Sequence, residues 1–270
     1  MPAPSSAALA EALAGLTADP SRAGILCDID GVLAPIVERA EDAKVRQETA
    51  LLLGRLARRY AGVGCISGRS ATEARRLVGV GGIAYAGSHG AELLVPGAAV
   101  GRANDAFKSW EGRVKAFVSD RDRPDLRRLR VRIEDKGPIV ALHWRGAPDE
   151  DAARERVEAI AAEAEEAGLA THWGRKVLEV RPPVAFDKGL ALRELVELFG
   201  ARAALFGGDD VTDLDAFDAL DKLVEDGALE TAVRVGVRSD EGPAGIVERA
   251  DLVVEGVTGF AGVLAALAEA

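Results

Sequence analysis

Cysteine is scarce in this chain of 270 residues, which holds only Cys27 and Cys65. Two thiols without Cys-x-x-Cys spacing exclude a disulfide framework and an all-protein zinc site, and each lies in an apolar run, as a buried free thiol does. Long apolar stretches are missing too. None approaches the ~18 uninterrupted apolar residues of a membrane span, and Met1 to Leu16 has no basic segment followed by an apolar block. No membrane is expected, and a reducing cytoplasm is the expected location. Basic charge is in deficit: 34 Lys and Arg against 44 Asp and Glu leave a formal −10. No Lys/Arg stripe interleaves with the aromatics, which are only 4% of the chain. Such a surface repels a polyanion, so nucleic acid is not an expected partner. An anionic ligand would have to be attracted by a local device such as a metal ion.

What is present is ample core material, 48% hydrophobic residues, in an alternating pattern. Ile25 to Asp30 reads as a strand, Arg46 to Ala61 as a helix, and Val63 to Ser67 as a strand, a βαβ order. The order resumes with a helix from Gly189 to Phe199, a strand Ala203 to Phe206 and a helix from about Asp213. Strands Ala232 to Val237 and Leu252 to Val254 and a closing helix follow. These predict an α/β fold with a Rossmann-like parallel sheet covered by helices on both faces. The run Gly79 to Ala84 mimics a dinucleotide fingerprint but follows a helix and precedes a strand, so it reads as a helix stop. The middle differs. Val131 to Glu134 and Ile139 to Arg145 are strands joined through Asp135, Lys136, Gly137 and Pro138, which favours antiparallel pairing. With helices over Asn104 to Ser119 and Asp149 to Ala167 and strands Ala170 to Trp173 and Val177 to Val180, they predict an inserted α+β domain. The expected domains are a discontinuous core, 1–95 and 182–270, and an insert, 96–181.

Four clusters carry the chemistry. Asp28-Ile29-Asp30-Gly31 follows an apolar strand, and residues two apart on a strand share a face, so both carboxylates can reach the crevice at the carboxyl edge of the sheet. Two such carboxylates repel unless a metal or a proton sits between them. Ser67-Gly68-Arg69 ends a second strand with a hydroxyl and a flexible amide that can donate to phosphate oxygens. Lys188, after Asp187, opens a helix and offers a point charge. Asp209, Asp210 and Asp213 follow a buried strand, and hard oxygen ligands of this kind suit Mg²⁺. Each cluster alone also reads as a turn, a cap or a solvated lysine. Other phosphate chemistries lack their residues. Leu33 and Ala71 stand where a cysteine-phosphatase loop carries its Arg, Ser88 precedes His89 where a phosphohistidine motif needs Arg, and no Walker-type loop precedes Lys188.

In this order the four clusters resemble the motifs of the haloacid dehalogenase-like superfamily. The resemblance implies Asp28 as nucleophile and metal ligand, and Asp30 as acid/base with its backbone carbonyl on the metal. It implies Ser67 and Lys188 on the phosphoryl group, Asp209 on Mg²⁺, and Asp210 and Asp213 in support. An insert between the second and third motifs is the position of a cap that reads the leaving group. Ile133 to Gly137, His143-Trp144-Arg145, Gly174 to Pro182 and Gly87-Ser88-His89-Gly90-Ala91-Glu92 resemble trehalose-6-phosphate phosphatases, implying a small sugar phosphate as substrate and a functional link to a trehalose-6-phosphate synthase. Candidate substrate contacts are Gly68, Arg69, His89, Glu134, Lys136, His143, Lys176 and Glu179, because fixed donors and acceptors suit a polyhydroxyl ligand. His143 and Arg145 read equally as solvent-face charges of a half-buried sheet. Trp110 and Trp144 read as packing, and Trp173 as core or sugar-facing. Leu214 and Asp215 stand where relatives often carry an acidic residue first. Sucrose phosphate or mannosyl-phosphoglycerate as substrate, or a silent binding protein, are the alternative readings.

Overall fold

The computed structural model describes residues 6–37, 42–103, 105–122, 124–174, 176–184, 186–239 and 242–270. Asn104, in an expected middle helix, and Arg175, in the segment Gly174 to Pro182, lie outside them. The chain divides into two compact units, one of Met1–Arg102 with Phe186–Ala270 and one of Ala103–Ala185.

The first unit is built on an eight-stranded sheet. Six of its strands are β1 (Ala23–Cys27), β2 (Gly62–Ile66), β3 (Ala84–Gly87), β10 (Ala203–Gly208), β11 (Thr231–Arg238) and β12 (Leu252–Glu255), in the order β12-β11-β10-β1-β2-β3. These six pair in parallel, while β4 (Glu92–Leu94) runs antiparallel to β3 and leads to the edge strand β5 (Arg102–Ala103). Period-two alternation explains how such short strands stay buried on both faces. In β1, Ile25 and Cys27 join a core with helices α1 (Ser6–Thr17), α2 (Gln47–Leu56), α3 (Ala71–Val78) and α11 (Gly256–Glu269). Leu26 points the other way, into a core with α8 (Lys188–Phe199), α9 (Leu214–Glu225) and α10 (Ala244–Arg249). The α/β sheet with helices on both faces expected from the sequence is therefore what forms. Gly79 ends α3 in the left-handed region at φ 76°, the helix stop that its sequence context indicated.

The second unit is a four-stranded antiparallel sheet of β6 (Arg132–Asp135), β7 (Val140–His143), β8 (Ala170–Gly174) and β9 (Val177–Arg181), ordered β6-β7-β9-β8. Val140, Leu142, Leu178 and Val180 pack one face against Val114 and Phe117 of α5 (Glu111–Ser119) and Val157, Ile160 and Ala161 of α7 (Glu150–Glu166). Register puts the side chains of Glu134, Ala141, Glu179 and His172 in one row on the opposite face. The single helix expected to end at Ser119 is two, α4 (Asp105–Lys108) and α5, with a break at Ser109 and Trp110. The short helix α6 (Pro124–Arg128) completes the unit.

Candidate functional site

Three parallel strands end side by side at β1, β2 and β10, and their carboxyl ends deliver the first, second and fourth clusters to one edge, where open parallel sheets bind ligands. One expectation needs correction. The strand stops at Cys27, so Asp28 and Asp30 do not share a face by strand alternation. Asp28 extends the ladder by one bond, its amide donating to Gly207 O at 2.9 Å, and the chain then turns, Leu33 and Ala34 both donating to Ile29 O. The turn separates the two carboxylates into different surroundings. Gly31 allows it with φ 85°, and a Cβ at Gly31 would collide with the Asp209 carboxylate.

Lys188 organises the buried half. Its Nζ lies 3.1 Å from Asp28 Oδ2 and 2.6 Å from Asp213 Oδ1, with all three residues buried. A cation at the first position of α8 opposes the helix dipole, so these two carboxylates, not the helix, stabilise it there. Burial pulls the ammonium down, but Asp28 and Asp213 outweigh it and hold Lys188 above its ordinary pKa. Asp213 accepts three hydrogen bonds: Oδ1 takes Lys188, and Oδ2 takes the Asp209 and Asp210 amides at 2.8 and 3.0 Å. It therefore shapes the turn after β10. Asp210 is exposed and caps the same turn, its Oδ1 accepting from the Val211 amide at 2.6 Å.

Asp28, Asp209 and Asp213 each offer an oxygen within 4.8 Å of the others. Three carboxylates against one ammonium leave two uncompensated negative charges. Burial accordingly pushes Asp28 up to about 8, with Lys188 pulling against it and Asp213 adding to it. Burial, then Asp213, pushes Asp209 up to about 7. Asp209 Oδ1 is buried without a hydrogen-bond partner among the described residues. A buried, unsatisfied carboxylate oxygen facing a net charge of minus two suits a divalent cation bound by hard oxygens, so these residues fit the metal that the sequence implies.

The third side of the site is the loop after β2. Ser67 is buried and Arg69 is half-buried, and Arg69 forks onto Asp30 with Nε to Oδ2 at 2.7 Å and Nη2 to Oδ1 at 2.6 Å. The pair raises the pKa of the Arg69 guanidinium. A second turn braces this loop. Ser88 N donates to Arg69 O at 2.7 Å and His89 N to Ser67 O at 3.0 Å, with both residues at positive φ, 50° and 57°. His89 lies over Gly68, where a Cβ would sit 2.9 Å from Nε2. Glu92, not singled out by the sequence, supports this brace, taking the Ser88 hydroxyl at 2.9 Å and the Ala71 amide at 3.3 Å. The signal that pointed to it was its place in the segment Gly87 to Glu92, which carries part of the family resemblance.

In the second unit the structure brings together four of the five sequence candidates. Glu134 Oε2 is 2.7 Å from His143 Nε2, and Lys136 Nζ is 3.2 Å from Glu179 and 3.9 Å from Glu134. Lys136 lies past the end of β6, so the turn places it and not strand alternation. Burial works against the charge on Glu179, but Arg181 and Lys136 hold its carboxyl below the usual range. Lys176 stands apart, with its Nζ 2.5 Å from Glu150 of α7. Arg145 lies beyond β7. Trp144 is buried and meets the half-exposed Trp173 edge-on at 6.0 Å.

Comparison with known proteins agrees with this geometry. The profile of the Trehalose-phosphatase family matches residues 26–245. An uncharacterized glycosyl hydrolase of Mycobacterium tuberculosis is 37% identical over 207 residues, 74% of this chain and 15% of that protein. A trehalose-phosphate phosphatase of Mycolicibacterium paratuberculosis is 37% identical over 206 residues, 73% of this chain and 51% of its own length. The match thus spans about half the length of that phosphatase. A solved trehalose-6-phosphate phosphatase related protein is 26% identical, with a TM-score of 0.66 over 91% of this chain and 97% of that one. A haloacid dehalogenase-like hydrolase from Bacteroides thetaiotaomicron, 12% identical over 90% of this chain and 98% of its own, shares the fold with a TM-score of 0.64. The chain belongs to the trehalose-phosphatase family.

Proposed function

We propose that this protein is a Mg²⁺-dependent phosphatase that converts trehalose 6-phosphate to trehalose and inorganic phosphate through an aspartyl-phosphate on Asp28. The observation that carries the reading is the buried Asp28–Lys188–Asp213 array beside the unsatisfied Asp209 oxygen, on a chain of the trehalose-phosphatase family. Asp28, Asp209 and the backbone carbonyl of Asp30 are the residues for the metal, with Asp210 and Asp213 behind them. Mg²⁺ supplies charge neutralisation for the carboxylates and the phosphoryl oxygens.

Lys188 spends two of its three donors on Asp28 and Asp213, which leaves one N–H for the phosphoryl group. The Asp213 bond keeps Lys188 from neutralising Asp28 completely, so an Asp28 oxygen stays available to attack phosphorus. The Ser67 hydroxyl holds a second phosphoryl oxygen. Asp30 gives its proton to the departing sugar alkoxide and recovers one from the water that opens the acyl phosphate, so one residue serves both half-reactions. Gly68 and His89 line the phosphate side, and Arg69, on the same loop, holds the Asp30 carboxylate. Glu134, Lys136, His143 and Glu179, with Lys176 as the outlying candidate, are the groups of the second unit proposed to read the sugar as a cap. Paired donors and acceptors of both signs suit hydroxyl groups better than a second phosphate. Both cysteines are free and buried, which fits a reducing cytoplasm, and a trehalose-6-phosphate synthase is the proposed supplier of substrate.

The test is phosphate release from trehalose 6-phosphate, sucrose 6-phosphate, glucose 6-phosphate and an aryl phosphate, with Mg²⁺ or EDTA and an Asp28→Asn control. Metal-dependent release from trehalose 6-phosphate alone supports reaction and sugar together. Preference for another sugar phosphate keeps the reaction and overturns the sugar. Silence across the panel from folded protein turns the reading toward a binding protein.

A further inference from the structure

We infer that Arg69 is a positioning residue, whose guanidinium fork fixes the Asp30 carboxylate in the orientation from which it exchanges a proton with the leaving group. The inference rests on the proposed phosphatase reading. The two hydrogen bonds of 2.7 and 2.6 Å use both Asp30 oxygens and the Nε/Nη2 edge of one planar group. A fork of this kind sets direction as well as distance, and each oxygen keeps a lone-pair site for a further partner.

The loop that carries Arg69 is itself held by a second turn. Its backbone is held at the carbonyls of Ser67 and Arg69 by amides of two consecutive residues in the left-handed region, neither of them glycine. Such backbone is unfavourable for residues other than glycine and persists where the surroundings dictate it. The Ser67 hydroxyl accepts from the Arg69 amide at 3.2 Å, so the group assigned to the phosphoryl oxygens and the arginine on Asp30 belong to one braced turn. Anchoring Asp30 there ties the proton donor to the phosphate-holding loop, although the two reach the site from different strands. Without the fork, Asp30 would sit on a turn beyond β1 with its side chain half-exposed and free to rotate. Lys in place of Arg69 keeps the charge but cannot fork.

The experiment compares wild type, Arg69→Ala, Arg69→Lys, Asp30→Ala and the double variant Asp30→Ala/Arg69→Ala on trehalose 6-phosphate with Mg²⁺. Arg69→Ala is expected to lower kcat about tenfold and leave KM within about twofold, as loss of aim by a general acid does. Arg69→Lys recovers little of the loss. In the Asp30→Ala background, removing Arg69 costs no further rate, because its effect passes through Asp30. A tenfold rise in KM at unchanged kcat makes Arg69 a substrate contact instead, and equal rate losses with and without Asp30 make it act directly. Either result overturns the inference. Thermal unfolding of ligand-free wild type, Arg69→Ala, Asp30→Ala and the double variant needs no activity: non-additive Tm losses support the pair, and additive losses overturn it. A wild type that releases no phosphate defeats the proposed function, while the unfolding cycle still judges Arg69 and Asp30.

Discussion

At the scale of the residue, the molecule solves an electrostatic problem that its sequence creates. Asp28, Asp209 and Asp213 are each at most 5% exposed, and Lys188 pairs with only two of them, Asp28 and Asp213. Replacing Asp28 by Asn removes the nucleophile and should lower kcat by at least about a thousandfold with the fold intact, as measured by phosphate release and circular dichroism. Asp213→Ala should act differently. It strips Lys188 and two backbone amides of their acceptor, so destabilisation of about 3–5 kcal/mol is expected in denaturant unfolding as well as lost activity. The pH dependence follows from Asp28 at about 8 and Asp209 at about 7. Both are raised above the unfolded value, so the metal-free native state holds protons that the unfolded chain releases. The stability they contribute is present below about pH 4 and is lost as pH rises through 7 and 8. The Tm of the metal-free protein should therefore fall from pH 5 to pH 8, and Mg²⁺ should raise it most at the upper end. A flat profile with EDTA would count against an uncompensated carboxylate cluster.

At the scale of the element, the site depends on strands stopping at the right place. Cys27, Ile66 and Gly208 close three neighbouring strands, and the turn after each carries the chemistry. Gly87, at the end of β3, lies so close to the start of α3 that a Cβ there would strike the Ala71 amide and the Ser70 carbonyl carbon. Those are backbone atoms and cannot swing aside. Gly87→Ala should shift the braced Ser88–His89 turn and the loop from Ser67 to Arg69 together. The expected result is about 1–3 kcal/mol of lost stability and a fall in kcat measurable in one steady-state assay. Normal activity at wild-type Tm would show that the two loops do not lean on each other.

At the scale of the whole molecule, each unit has a core of its own. In the second, Leu142, Leu178, Val180, Val157 and Ile160 are buried among residues of the same unit. A fragment of residues 103–185 should therefore unfold in one cooperative thermal transition. Leu142→Ala should destabilise that fragment by about 2–5 kcal/mol, the cost of a large-to-small change in a packed sheet core. A broad, non-cooperative melt of the fragment would mean that the unit depends on the rest of the chain.

The sequence by itself determined the α/β class, the alternation of strands and helices, and the three strand ends that meet at one edge. Buried strands must be apolar runs, and the polar residues that follow them have nowhere to go but the carboxyl edge of the sheet. It also carried the resemblance that the family match bears out. Only the tertiary structure decided who pairs with whom. The turn at Gly31 turns Asp28 toward Lys188 and leaves Asp30 to Arg69, although the two carboxylates lie two residues apart. The same holds for Lys176, which pairs with Glu150 across 26 residues, while Lys136 pairs with Glu179 across 43. Short-range periodicity fixes which face a residue occupies, but charge pairing is settled by long-range packing, where desolvation makes each buried group find the partner that the fold brings within reach.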